Sequence, residues 1–78
     1  MIHEYERVAL TVDLPQYHLK QGDIGVVVMI HGEHEGYELE IINAKGKTLD
    51  VVTVEAYQVR ALEAHDMLHV RPMLEKMG

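Results

Sequence analysis

Apolar and polar side chains alternate along much of this chain, which is the pattern of half-buried β-strands. In segment 7–12 every second residue is Val or Leu, and in segment 37–41 a Tyr, a Leu and an Ile alternate with two glutamates. Segments 24–31 and 48–55 are rich in β-branched residues and also favour strands. Segment 56–62 predicts one short helical turn followed by a fifth, short strand.

Turn signals separate these segments. Pro15 and Gly22 indicate a long first loop, because proline cannot donate a ladder hydrogen bond and glycine tolerates a tight turn. Gly46 predicts a hairpin turn over residues 43–47, where glycine can take a positive φ angle. Gly25 lies inside the second predicted strand and there predicts a bulge or a sharp bend.

Short strands at intervals of roughly ten residues predict a small all-β fold in the form of an antiparallel barrel. Strong bending would let so short a chain close on itself without long open edges. We expect one domain over residues 1–78, with five or six strands and a short helical turn near residues 56–59. Residues 63–78 are not needed for five strands, and we expect them to form an extra edge strand or an interface tail.

The composition excludes several kinds of chemistry. The 78 residues include no cysteine and no serine, which excludes disulfides, thiolate metal sites and nucleophiles of the Ser or Cys type. The absence of cysteine also fits a reducing cytoplasm. We therefore expect a cytoplasmic protein that is not an enzyme.

The charge balance bears on partners. The formal net charge is −6, which opposes non-specific binding to nucleic acid and to anionic lipid. The longest apolar run, 24–30, is far shorter than the roughly 20 residues that a membrane-spanning helix needs. We expect a protein partner that is less acidic than this chain, with no nucleic acid and no membrane.

Three groups of residues are candidates for partner binding. Tyr17 and His18 lie in the first loop, where small barrels present recognition surfaces, although Tyr17 could instead close the barrel mouth as an apolar lid. Four glutamates predict an acidic face, and two methionines of the apolar tail predict contact with a second copy of the chain. These two groups are Glu33, Glu35, Glu38 and Glu40, and Met67 and Met73.

Six histidines raise the question of a metal site. A zinc site takes three or four ligands in fixed geometry. The motif "HGEHE" (31–35) lies in a connection bounded by glycines, and "HDMLH" (65–69) runs directly into an extended Val-Arg-Pro. We expect solvated loop histidines, no metal and no cofactor.

The stretch "KQGDIGVVVMI" (20–30) resembles the KOW element of ribosomal and transcription-factor barrels through its glycines at 22 and 25. That element binds nucleic acid through flanking basic and aromatic residues. Here Lys20 is the one basic neighbour, and the chain has no Phe or Trp on which bases could stack. We interpret the likeness as shared turn geometry, with nucleic-acid binding as the alternative.

The motifs "DLPQYHLKQGDIGVVV", "GYELEIINAKGKTLDVVTV" and "MLHVRPM" together resemble the bacterial domain of unknown function family 4926. The positions that match its pattern are Asp13, Leu14, Pro15, Leu19, Gly22, Asp23, Gly25, Val27, Tyr37, Glu40, Val51, Val52, Thr53, His69, Val70 and Arg71. The resemblance implies a short, acidic, SH3-like protein and implies no activity. The closing His-Val-Arg of the pattern indicates that the tail belongs to the fold or to an interface.

From these observations we expect a non-enzymatic protein-interaction module. An antitoxin or an immunity-like protein, with its partner encoded nearby, is one version of this hypothesis, and the apolar tail adds the expectation of a homodimer. The alternatives are a nucleic-acid-binding KOW-like barrel and an accessory subunit of a larger enzyme.

Overall fold

The computed structural model describes residues 1–72. Its strands are β1 (Arg7–Leu10), β2 (Ile24–His31), β3 (Gly36–Ile42), β4 (Thr48–Glu55) and β5 (Val59–Ala61). Two single turns of 3-10 helix, Pro15–Tyr17 and Ala56–Gln58, are the helical segments within residues 1–72. The all-β prediction is confirmed, as is the short helical turn that precedes the fifth strand. No helix in this part of the chain has the length and apolar character needed to cross a membrane.

The strands form one antiparallel sheet in the order β4-β3-β2-β1-β5. Strand β2 pairs with β1 through residues 24–26 and with β3 mainly through residues 26–31, so it connects the two halves of the sheet. Within residues 1–72 the sheet does not close, and β4 and β5 are its edges. The closure that we expected is absent because β5 has three residues, and these pair with β1 alone.

The irregularity in the pairing of β2 lies further along the strand than the sequence predicted. The register shifts between Val27 and Met29, whereas Gly25 pairs regularly with Val8. The bulge predicted at Gly25 is therefore wrong, whereas the sharp bend, which was the alternative at this residue, stays a prediction. A Cβ atom at this position would lie 3.2 Å from the Cβ atom of Leu39, so the glycine instead allows β3 to pack closely beneath it.

Apolar side chains from all five strands and the first loop form a single core. The alternation in β3 is confirmed, because Tyr37, Leu39 and Ile41 are all buried. The core residues are Val8, Leu10, Leu14, Leu19, Val27, Tyr37, Leu39, Ile41, Val52, Val54 and Val59. This core orders the sheet and fixes the first loop against it.

The long loop between β1 and β2 is folded back on itself. Leu14 and Leu19 pair through backbone hydrogen bonds and are both buried, which holds the 3-10 turn between them. Gly22 takes a φ angle of 93°, as the turn signal predicted, and its N–H group donates to the Leu10 carbonyl. The loop thereby places the next residue, Asp23, at the entrance to β2.

The chain after β5 turns back towards this loop. Asp66 accepts a hydrogen bond from the Glu63 backbone N–H and forms an ion pair with Arg60, with an N–O distance of 2.8 Å. Residues 62–72 contain no strand, so the extra edge strand that we considered is absent from the described part of the tail. His69 and Arg71 of this segment instead contact Asp23, directly before β2.

Candidate docking site

Asp23 is the one buried charged or polar residue within residues 1–72, with 8% of its surface exposed. Its position follows from the turn that precedes β2, in which the Asp23 N–H group donates to the Lys20 carbonyl. The Lys20 N–H group in turn donates to Asp23 Oδ2 over 2.8 Å. The turn therefore binds one carboxylate oxygen and directs the carboxylate towards the tail.

Two side chains of the tail meet this carboxylate. Arg71 Nε donates to Asp23 Oδ1 over 3.0 Å, and Arg71 Nη2 donates to Oδ2 and also to the His18 carbonyl, over 3.0 Å. His69 Nε2 lies 3.0 Å from Asp23 Oδ1. The paired Arg–carboxylate contacts have the bidentate geometry that makes such ion pairs strong and specific.

The protonation of Asp23 follows from two opposing effects. Burial raises the pKa of the carboxyl, but the hydrogen bonds from Arg71 and from the Lys20 backbone outweigh it, and they hold the pKa below its usual value. Asp23 is therefore an anion at neutral pH. The site therefore contains a largely buried ion pair between the Asp23 carboxylate and the Arg71 guanidinium.

An apolar groove of about 490 Å³ lies beside Asp23. It is lined by Leu19 in the first loop, Ile24 in β2, Ile41 in β3, Leu49 in β4 and tail residues 69–72. A buried carboxylate next to apolar walls is an arrangement that can bind a peptide with both a cationic and an apolar side chain.

The outward side of β2, β3 and β4 forms a second surface, which we call the acidic sheet face. It comprises Met29, Glu38, Glu40, Val51 and Thr53. Cross-strand pairing aligns Met29 with Glu38 and Thr53, and aligns Glu40 with Val51. Met29 and Val51 are each 50% exposed.

The carboxylate groups of this face are held in place by neighbouring side chains. Glu38 Oε2 lies 2.7 Å from His31 Nε2 and accepts a hydrogen bond of 2.8 Å from Thr53. The contact with His31, followed by that with Thr53, lowers the pKa of Glu38. Glu40 accepts a hydrogen bond from Thr48. The face therefore combines oriented negative charge with exposed apolar side chains.

The predicted binding residues occupy several places in the fold. Tyr17 packs against the core, while His18 is exposed and takes a left-handed conformation with a φ angle of 61°. The four glutamates extend from the β2–β3 connection, where Glu33 and Glu35 are exposed, onto the acidic sheet face. Met67 is 91% exposed. Met73 lies outside the described residues.

The histidines of the "HGEHE" motif have hydrogen-bond partners and are partly buried. The His31 side chain remains 43% exposed, so solvation of these histidines stays a prediction. His31 contacts Glu38, and His34 Nε2 lies 3.1 Å from the Ile2 carbonyl oxygen. The His34 ring also meets Tyr37 edge to face at a centroid distance of 6.2 Å. Across residues 1–72, no group of three or more His, Cys, Asp or Glu side chains is arranged to hold a metal ion.

The cluster of Asp23, His69 and Arg71 was missed as a site from the sequence. Each residue belongs to a motif that we singled out, but 46 and 48 positions separate Asp23 from its two partners. The tail motif "HVR" was the available signal, because it indicated that the tail belongs to the fold or to an interface. Nothing local in the sequence connects that motif to Asp23.

Comparison with known protein families identifies a match. The model of a family described as a domain of unknown function (DUF4926) matches residues 4–61. No curated protein and no solved structure matches the chain. The matched segment includes Asp23 but ends before His69 and Arg71. Since the match covers more than half of the 78 residues, the chain belongs to the DUF4926 family.

Proposed function

We propose that this protein is a non-enzymatic, SH3-like interaction module whose acidic sheet face binds a less acidic protein partner. The observation that carries the proposal is the composition of that face. Met29 and Val51 are half-exposed beside the oriented carboxylates of Glu38 and Glu40. Exposed apolar side chains among ordered polar groups are typical of surfaces that bind proteins.

The SH3-like part of the proposal is supported by the strand order and the connections. In SH3-like folds a long loop joins the first two strands, two tight connections follow, and a 3-10 turn leads to a last strand beside the first. This chain has the sheet order β4-β3-β2-β1-β5 and a 3-10 turn, Ala56–Gln58, directly before β5. Both features support this assignment.

Charge complementarity specifies the partner. A partner that presents Lys or Arg around an apolar patch would pair with Glu38 and Glu40 and cover Met29 and Val51. Such pairing increases the association rate at low salt and weakens as salt screens the charges. The same negative charge repels phosphate groups, which favours this proposal over nucleic-acid binding. An antitoxin or immunity-like role, with the partner encoded nearby, remains one version of it.

The proposal is tested by affinity capture with the full-length chain in extracts of its native cells. We expect a stoichiometric protein partner at low salt that is lost at high salt and lost with the double variant Glu38→Lys/Glu40→Lys. The control variant Glu4→Lys/Glu63→Lys makes the same charge change at exposed glutamates away from the face, and it should still capture the partner. Circular dichroism establishes that both variants are folded. Equal capture by both variants, or capture of no specific partner, would overturn the proposal.

A further inference from the structure

We propose that the Asp23 site accepts an arginine-bearing, extended segment of a protein partner, in competition with residues 69–72 of the chain itself. This inference rests on the proposed function, because it assumes that the chain binds a protein partner. It uses a different surface from the acidic sheet face, and it specifies the chemistry of the bound segment.

The first step of the argument concerns charge. The Asp23 side chain is 10% exposed, and Arg71 neutralises it in the structure. Removing one member of a buried ion pair leaves an uncompensated charge, which is strongly destabilising. A segment that displaces the tail is therefore favoured when it brings a cation to the same place. The two carboxylate oxygens, together with the His18 carbonyl that Arg71 also contacts, present acceptors for the planar fork of an arginine.

The second step concerns how the described part of the tail is held. Met67, Leu68 and Val70 are 91%, 53% and 97% exposed. Residues 67–72 therefore bury little apolar surface on the fold, and their hydrogen bonds to it come from His69 and Arg71. Since burial of apolar surface is the main favourable contribution to docking, this segment is one that a better-matched ligand can displace.

The third step concerns the groove beside Asp23. The apolar side chains that line it and remain accessible are Ile42, which is 45% exposed, and the partly buried Ile24 and Leu49. Val70 of the tail also borders the groove, yet it is 97% exposed. A segment that places an arginine on Asp23 and an apolar side chain in this groove gains burial that residues 67–72 do not achieve. Extended peptides bind by this combination of a charged anchor and an apolar pocket.

The test uses full-length protein and a fluorescein-labelled peptide with the sequence of residues 67–78, which carries the Arg71 equivalent. Titration into the Arg71→Ala chain, whose own tail no longer neutralises Asp23, should give saturable binding at least tenfold tighter than titration into the wild type. Replacing the peptide arginine with alanine should reduce the affinity at least tenfold. The double variant Asp23→Asn/Arg71→Ala should show the same loss. Absence of binding, or binding that is indifferent to the peptide arginine, would overturn the proposal.

A second measurement applies if Arg71→Ala does not fold. The peptide is then titrated into isotope-labelled wild type at millimolar concentration, and amide shifts should be centred on Leu19, Asp23 and Ile24 if the proposal holds. Shifts elsewhere, or no shifts, would contradict it. Binding that depends on the peptide leucine at position 74 but not on its arginine would assign the groove to the chain's own residues 73–78, and would also overturn the proposal.

These outcomes are separate from those that test the proposed function. Glu38→Lys/Glu40→Lys changes the acidic sheet face, whereas Asp23→Asn changes the site at the first loop. If Glu38→Lys/Glu40→Lys abolishes partner capture and the peptide still binds Arg71→Ala, the acidic sheet face and the Asp23 site act independently. If partner capture survives both Glu38→Lys/Glu40→Lys and Asp23→Asn, neither the acidic sheet face nor the Asp23 site binds that partner.

Discussion

Arg71 Nε donates a 3.0 Å hydrogen bond to Asp23 Oδ1 across 48 positions of sequence. The contact joins the segment after the last strand to the turn before β2, at the one buried charged residue within residues 1–72. It makes the tail part of the folded unit, although the family match ends at residue 61. The stability of the protein should therefore depend on residues that lie outside the matched segment.

A double-mutant cycle measures this contact. Asp23→Asn keeps an oxygen to accept the Lys20 N–H bond but removes the charge, and Arg71→Ala removes the cation. We expect each single variant to lower the free energy of unfolding by about 1–3 kcal/mol, because each weakens or removes the hydrogen bonds of a largely buried ion pair. The double variant should lose less than the sum, with a coupling of about 1–2 kcal/mol. Urea denaturation provides the measurement, and additive losses would show that the two groups do not interact.

The same ion pair predicts a particular acid dependence. The folded-state pKa of Asp23 is lowered relative to the unfolded chain, so its contribution to stability is complete above the unfolded value of about 4 and is lost as the pH falls through the lower folded value. The difference in unfolding free energy between wild type and Asp23→Asn should therefore shrink as the pH falls below about 4. Denaturation curves at several pH values measure it. A difference that grows with acidity would contradict the assignment.

Among the glycines in the strands, we expect Gly36 to tolerate replacement by a larger residue least well. A Cβ atom there would lie 2.8 Å from the Val54 carbonyl oxygen, which is closer than real contacts allow. We expect Gly36→Ala to cost about 2 kcal/mol or more, because the backbone of β4 must move. Gly46→Ala is the comparison, because a Cβ atom at this position would meet no atom within 4 Å. The only expected cost is that of the positive φ angle of 81°, which is about 1 kcal/mol for a residue other than glycine. Thermal or urea unfolding should rank the two variants in this order, and equal losses would count against the packing explanation.

The exposed tail predicts a homodimer that depends on Met67. One chain has a mass of 8.9 kDa. We expect light scattering to give twice this mass for the wild type, because association would bury exposed apolar side chains such as Met67. Met67→Asp should reduce the mass to that of one chain. Tyr57→Asp places the same charge at another exposed apolar residue and should leave the mass unchanged. A wild type with the mass of one chain would refute the dimer.

Local patterns accounted for much of the fold. Strands β2 and β4 begin and end at the predicted residues, and β3 differs from the predicted segment by one residue at each end. The reason is that alternation and β-branched content report directly on which side of a strand faces the core. Turn residues such as Gly22 and Gly46 were also predictable, because their positive φ angles suit glycine whatever the rest of the chain does.

The candidate sites were only partly predictable. Glu38 and Glu40 were expected on one face because they are two residues apart in a strand, and the structure places them there. Their hydrogen bonds to Thr53 and Thr48 come from the neighbouring strand and depend on register, which no local pattern reports. The exposed Met67 was identified by its position after the last strand, without any indication of what surrounds it.

By itself, the sequence determined an all-β chain with strands in the right places, a net negative charge and no Ser or Cys nucleophile, since these properties depend on residue type and near neighbours. Only the tertiary structure decided that the sheet stays open between β4 and β5, that the register of β2 shifts between Val27 and Met29, and that Asp23 pairs with Arg71. Those outcomes depend on which distant segments pack together. Pairing across 48 residues is set by the free energy of the whole assembled core, not by the residues on either side of each partner.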